Sequence, residues 1–248
     1  MRRWLTGHAP EGEARLIHRD RNIAIAWLPG QSDSLVRVFT SISRKPFHSG
    51  RLEFRAAASG KGQNHVLFIA DRRHCCRSCA GMRGKIADIV REFAAKRGIR
   101  TIRSIGGDGA ILFCDKVPIS RVVAFVPQIL TTAAVIDLPH WASNRNAVQP
   151  TVERDLTPIM ATKDTKFHIV YGDIDMNDSI HLGHLRRMLP SVGHFRIVLA
   201  PGQKYNVAKW LKSEGQPVRL VDAFWSGNQR ELHHRSRLLT RPLDLSLA

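Results

Sequence analysis

Apolar positions along the chain fall into two alternating patterns. Short, near-continuous apolar runs read as strands over residues 21–28, ended by Pro29-Gly30, and over 65–70, 99–102 and 121–126, the last closed by Pro127. Further runs follow over 166–171, 195–199 and, short and last, 218–221. Between them, residues 82–97 place Ile86, Ile89, Val90, Phe93 and Ala94 at helical spacing, with Gly98 as the stop. Residues 109–114 read as an apolar helix, and residues 206–214 as a helix stopped by Gly215. Apolar strands alternating with helices imply an α/β fold: a mainly parallel central sheet with helices on both faces. Ligands of such sheets bind outside the carboxyl ends of the strands. The residues just after each run are therefore the ones to inspect.

Residues 131–165 interrupt the pattern. Pro139, Pro150 and Pro158 break them, and Trp141, Asn144 and Asn146 point to a loop or small cap over the site. From Ser226 the tail is rich in Arg and His. There is no internal repeat, and 248 residues fit one domain over 1–248 with a cap at 131–165 and a basic tail at 226–248.

The strongest local motif is Ser104-Ile105-Gly106-Gly107-Asp108-Gly109-Ala110, between a strand and a helix. A nucleophile elbow needs such a strand-to-helix turn, with small residues two before and two after the serine. Gly106 meets the downstream need, whereas Ile102 stands where Gly or Ala is expected. On this reading Ser104 is the nucleophile and the Ile105 amide one oxyanion donor. The second donor falls in the loop after the first strand, at Gly30 and Gln31. The alternative is a glycine-rich helix start serving close packing, and an ordinary Pro-Gly turn. The run Tyr171-Gly172-Asp173-Ile174-Asp175 follows a late strand, where a triad carboxylate belongs, and offers Asp173 or Asp175. Asp178 reads as a cap for the helix that carries His181 and His184. The base is missing: residues 199–207, after the next strand, contain no histidine, leaving Lys204 and Tyr205. His74-Cys75-Cys76-Arg77-Ser78-Cys79 follows the second strand; His74 and Cys75 read as pocket-lining. Adjacent cysteines with no second Cys/His pair do not make a zinc site, so no metal is expected. The glycine spacing after Ser104 matches neither dinucleotide nor phosphate loops, so no cofactor is expected.

Charge adds one thing. Thirty-eight Lys and Arg against 21 Asp and Glu give +17, a field that attracts polyanions. Ten of the basic residues lie between Arg72 and Arg103, against only Asp88 and Glu92. Nucleic acid would fit the charge, but no reader motif accompanies it. No apolar run reaches transmembrane length, and no apolar stretch follows Met1-Arg2-Arg3-Trp4, so a cytoplasmic protein with reduced cysteines is expected.

These motifs together resemble a family of bacterial α/β-hydrolase-like proteins associated with capsule or exopolysaccharide biosynthesis. The likeness runs from about Asn22 to Val221. It rests on Asp71-Arg72, on Ile102 through Ala110 against a Gly-Asn-Ser-Met-Gly-Gly-Phe-Gly-Ala elbow, and on Phe125-Val126-Pro127-Gln128. It also rests on Tyr171-Gly172-Asp173 with His181, and on Gly202 through Ala208 against Gly-Cys-Gly-His-Asn-Val-Ala. The resemblance puts Tyr205 on the family's catalytic histidine. It implies an α/β-hydrolase-like fold and kinship with serine esterases or acyl hydrolases acting on acylated saccharides. The departures at Ile102 and Tyr205 imply weak or lost hydrolysis. The alternative is a non-catalytic binding or accessory protein for an anionic glycan, a nucleotide-sugar or a partner protein.

Overall fold

The computed structural model describes residues 12–40, 52–72, 81–130, 155–161, 164–188, 194–204, 206–215, 217–227 and 241–242. Nine strands form one sheet: β1 (Arg15–Arg19), β2 (Ile23–Leu28), β3 (Ser34–Phe39), β4 (His65–Asp71), β5 (Thr101–Gly106), β6 (Arg121–Phe125), β7 (Lys166–Gly172), β8 (Phe195–Ala200) and β9 (Arg241–Pro242). Their spatial order is β1-β2-β4-β3-β5-β6-β7-β8-β9. From β4 across to β8 every neighbouring pair is parallel, while the β1/β2, β2/β4 and β8/β9 pairs are antiparallel. Strand β5 stands at the centre of this order.

Seven helices among the described residues flank the sheet: α1 (Arg55–Ser59), α2 (Met82–Arg97), α3 (Asp108–Leu112), α4 (Thr157–Ala161), α5 (Met176–Met188), α6 (Val207–Ser213) and α7 (Pro217–Ser226). The side-chain alternation of the strands divides the core in two. One layer joins Ile25, Leu35, Phe39, Leu67, Val122 and Ile169 to α2, α3, α4 and Leu185 of α5. The other joins Val36, Phe68, Ile105, Val123, Val170 and Val198 to α1, α6 and α7. Both faces of β4 and β6 are sealed, which is why those strands read as unbroken apolar runs.

Several expectations need correction. Residues 218–221 are helix, the first part of α7, because Leu220, Val221, Ala223, Phe224 and Trp225 together bury one helical face. Strand β5 begins at Thr101 rather than Ile99. The chain leaves α2 through Gly98 at φ 62, with the Gly98 and Ile99 amides donating to Ala95 and Ala94, so Ile99 is spent on closing the helix. Leu156, Ile159 and Met160 are buried core residues, so the end of the interval expected as a cap belongs to the main layer. Residues 131–154 and 162–163 of that interval, and tail residues 228–240 and 243–248, lie outside the described residues. Among the described residues, no helix is long and apolar enough to cross a membrane.

Candidate functional site

Parallel strands bring the loops after β5, β6, β7 and β8 to one end of the sheet, and the chemistry expected there can be checked residue by residue. The strand-to-helix turn runs from Gly106, the last residue of β5, through Gly107, and α3 starts at Asp108. Gly106 has φ 152, and a Cβ there would stand 2.8 Å from the Phe39 carbonyl oxygen. Glycine is needed because β3 ends against this turn. Gly107 is the N-cap of α3, and a Cβ on it would meet nothing nearer than the Phe125 oxygen at 3.7 Å. Asp108, in the first turn of α3, suits the positive end of the helix dipole.

Ser104 is therefore not at the elbow. It sits within β5, paired with Arg37 of β3 and Val122 of β6, and is fully buried, its hydroxyl without a hydrogen-bond partner among the described residues. Ile105 is likewise fully buried between Val38 and Val123, so its amide faces no cleft. The start of β5 two residues late, and its end at Gly106, carry the motif into the sheet.

Gly30 and Gln31 lie at the other end of the molecule. Strand β2 runs against β4, so its last residue, Leu28, pairs with Val66 at the amino end of β4. Glycine at 30 has a packing role: a Cβ would stand 2.2 Å from the Asn64 carbonyl carbon, and the Gly30 amide donates to His65 Nδ1 at 2.9 Å. The Gln31 amide donates to the Gln63 oxygen. Neither residue is an oxyanion donor for a site at the carboxyl ends. The loop that does reach that end leaves β3 at Thr40, and residues 41–51 lie outside the described residues, as do His74, Cys75 and Tyr205.

The Asp173–Asp175 run directly follows β7. Asp173 is exposed directly after β7 and accepts the Gly202 amide at 2.6 Å, so the loops after β7 and β8 are tied together. The Ile174 amide donates to the Gln203 oxygen across the same junction. Asp175 caps α5: its carbonyl oxygen accepts the Ser179 amide, and its carboxylate receives the Asp178 amide at 3.5 Å.

Asp178, His181 and His184, of which the sequence suggested only a helix cap and its helix, make the side-chain contacts of this end of the sheet. Asp178 is 3 % exposed and accepts the Gly172 amide at 3.2 Å. Burial, reinforced by Asp175 against that hydrogen bond, pushes its pKa up to about 7. His181, also buried, receives the Leu130 amide on Nδ1; burial first, then His184, lowers its pKa to about 4. His184 Nε2 lies 2.9 Å from Asp155 Oδ2. Asp155 in turn accepts the Thr157 amide and hydroxyl at 2.9 and 2.7 Å. Burial works to raise the Asp155 pKa, but the Thr157 donors and His184 outweigh it and hold the carboxyl below its ordinary value. The signal for Asp155 was local: an Asp two residues before Thr157-Pro158 at a helix start. The end of β6 beside this cluster is strained, since β-branched Val126 sits at φ 48.

The raised Asp178 pKa has a measurable consequence. Above pH 7 the folded state must hold a buried carboxylate that the unfolded chain ionises freely, and the group releases its proton on unfolding between pH 4 and 7. Stability from this group is thus full below pH 4 and lost as pH rises through 7. Three pKa units correspond to about 4 kcal/mol, so Asp178→Asn is expected to stabilise the protein by a few kcal/mol at pH 8 and by almost nothing at pH 4. Urea midpoints of both proteins across pH 4 to 8 test this, and parallel curves would refute it.

No family model matches this sequence, and no curated protein matches it. Solved structures do. The chain is similar to esterase 2 of Thermogutta terrifontis, with a TM-score of 0.55 at 15 % identity over 85 % of this chain and 96 % of that one. It is similar to XC6422 of Xanthomonas campestris, an α/β serine hydrolase without a lid, with a TM-score of 0.51 at 13 % identity over 94 % and 97 %. It is also similar to a chain of the glycosylation-associated Gap123 complex of Streptococcus agalactiae, with a TM-score of 0.61 at 15 % identity over 90 % of this chain and 46 % of that one. At these identities the likeness is one of fold, and together with the strand order it establishes that the chain has the α/β-hydrolase-like fold.

Proposed function

We propose that this protein is a hydrolase-fold binding or accessory protein, derived from the esterase architecture and without serine-hydrolase turnover. The carrying observation is the turn after β5. At the centre of the sheet, where an elbow would expose a nucleophile, the chain has Gly106-Gly107, and the nearest serine, Ser104, is sealed inside the strand. A serine with no exposed oxygen cannot attack a carbonyl carbon, and no histidine occurs in the β8 loop to activate one. The acid loop persists, but Asp173 spends its carboxylate on the Gly202 amide.

The ends of β6 and β7 carry the buried His181 and the half-buried His184 beside the Asp155 and Asp178 carboxylates, groups that donate and accept hydrogen bonds. Such a site suits a polyhydroxylated ligand, and the positive charge favours an acidic one. The likeness to a chain of a glycosylation-associated complex supports an accessory role beside glycan-modifying partners, and a role in polysaccharide metabolism is part of this proposal.

Labelling with a fluorophosphonate tests it. The wild type is expected to stay unlabelled, and Ser104→Ala to leave that unchanged. Gly107→Ser combined with Tyr205→His is expected to gain labelling, since the space at Gly107 admits a side chain. Wild-type labelling that disappears with Ser104→Ala would overturn the proposal.

A further inference from the structure

The opposite end of the sheet carries a second, unassigned constellation. In β5, β6, β7 and β8 the residues facing α6 and α7 are apolar towards the carboxyl end: Ile105, Val123, Val170 and Val198. One step towards the amino end on the same face they become Arg103, Arg121, His168 and Arg196, with Lys166 a step beyond. This follows from the two-residue alternation and the register Arg103↔Arg121↔Lys166 and His168↔Arg196. None of these four strands contains an Asp or a Glu.

Helix α7 lies over this basic row. Arg121 Nη1 donates to the Phe224 and Trp225 carbonyls at the end of the helix, a favourable place for a cation. The Arg103 guanidinium lies over the Trp225 ring, 5.2 Å from its centroid, and His168 stacks on Phe224 with centroids 4.4 Å apart. Yet three polar atoms between sheet and helix are unsatisfied among the described residues. His168 is 8 % exposed and Trp225 7 %, and neither His168 ring nitrogen nor Trp225 Nε1 has a hydrogen-bond partner among the described residues. Buried donors without acceptors are rare in folded proteins and point to a water, ion or ligand. Arg103 has no ion-pair partner among the described residues either. Burial, then the adjacent Arg121, lowers its pKa. Cations at the rim of a sheet ordinarily turn their heads to water and need no ligand. That explanation covers Lys166, but not the buried imidazole and indole.

The geometry points to an oxyanion site here, for a phosphate group held by Arg103, the Trp225 indole N–H and His168 between the amino ends of β5–β7 and α7. A phosphate supplies several acceptor oxygens for the indole and imidazole donors and a charge opposite to that of Arg103. Arg121 positions the site by fixing the end of α7. The site stands apart from the β5 turn and does not rest on the loss of hydrolysis proposed above.

Titration calorimetry of the full chain with inorganic phosphate, and with a hexose phosphate, at constant ionic strength set with chloride, tests the inference. Saturable binding is expected, with a rise in Tm that chloride alone does not give. Arg103→Met should weaken binding tenfold or more. Trp225→Phe, which keeps the ring and removes only the donor, should weaken it several-fold while the fold, followed by circular dichroism, is unchanged. Equal affinity for the two ligands would identify free phosphate as the ligand, and tighter hexose phosphate binding a sugar phosphate. Indistinguishable effects of phosphate and chloride, or unchanged phosphate binding in both variants, would overturn the site.

Discussion

Gly172→Ala is expected to destabilise the protein by at least about 3 kcal/mol, the upper part of the range for overpacked sites. The reason is geometric. Gly172 ends β7, and a Cβ there would stand 2.2 Å from the Gln203 oxygen and 2.7 Å from both the Gln203 carbonyl carbon and the Lys204 oxygen. All three are backbone atoms, so no rotamer change relieves the clash. The loops after β7 and β8 would have to separate, breaking the Ile174–Gln203 and Gly202–Asp173 hydrogen bonds that join them. Gly84→Ala is the matched control: it lies inside α2, exposed, with nothing within 4 Å of its Cβ. Helix propensity alone should make that change stabilising by about 0.5 to 1 kcal/mol. Urea unfolding of the two variants reads both effects, and a Gly172→Ala loss no larger than about 1 kcal/mol would show that the two loops are not locked together.

The second large effect has the opposite sign. Arg37→Met is expected to stabilise the protein by about 1 to 4 kcal/mol, as apolar replacement of buried charges can do. Arg37 is fully buried in the centre of β3, and none of its guanidinium nitrogens has a hydrogen-bond partner among the described residues. Its compensation is the face of Phe39, 5.4 Å from the ring centroid. Burial lowers its pKa to about 10, partly offset by Cys114, so it stays charged at neutral pH. Methionine keeps most of the volume and removes the charge. Ser104, its direct neighbour across the strands, has a buried hydroxyl without a partner among the described residues, and Ser104→Ala should therefore be neutral or gain about 1 kcal/mol. For a chain of this size, 3 kcal/mol corresponds to a Tm change of roughly 6 to 12 °C, which calorimetry resolves easily. A fall in Tm with Arg37→Met would mean that the guanidinium has a counter-charge in solution.

Periodicity and residue type alone determined the class of fold and most of its central elements. Strands β2, β4, β6, β7 and β8 are readable as short, near-continuous apolar runs bounded by turn residues, and helix α2 by its 3.6-residue apolar period. Local chemistry also put the Asp173-Ile174-Asp175 run directly after a strand, which is β7. What it did not decide was register and direction. Strand β3 was hidden because Arg37 interrupts its apolar run, and a charge that only the finished core encloses has no local signature of burial. The direction of β2 is set by its partner, which sends Gly30 and Gln31 to the far end of the sheet. Helix α7 passed for a strand because four apolar residues fit either period; the packing of Phe224 and Trp225 on the sheet chose the helix. The decisive case is Ser104. Its neighbours spell a turn, but three residues separate a hydroxyl over the cleft from one inside the sheet. That offset was fixed by where α2 ended and by how closely β3 packs against Gly106. Sequence patterns carry the period of an element; its end point depends on contacts with chain far away in sequence, which exist only once the sheet has formed.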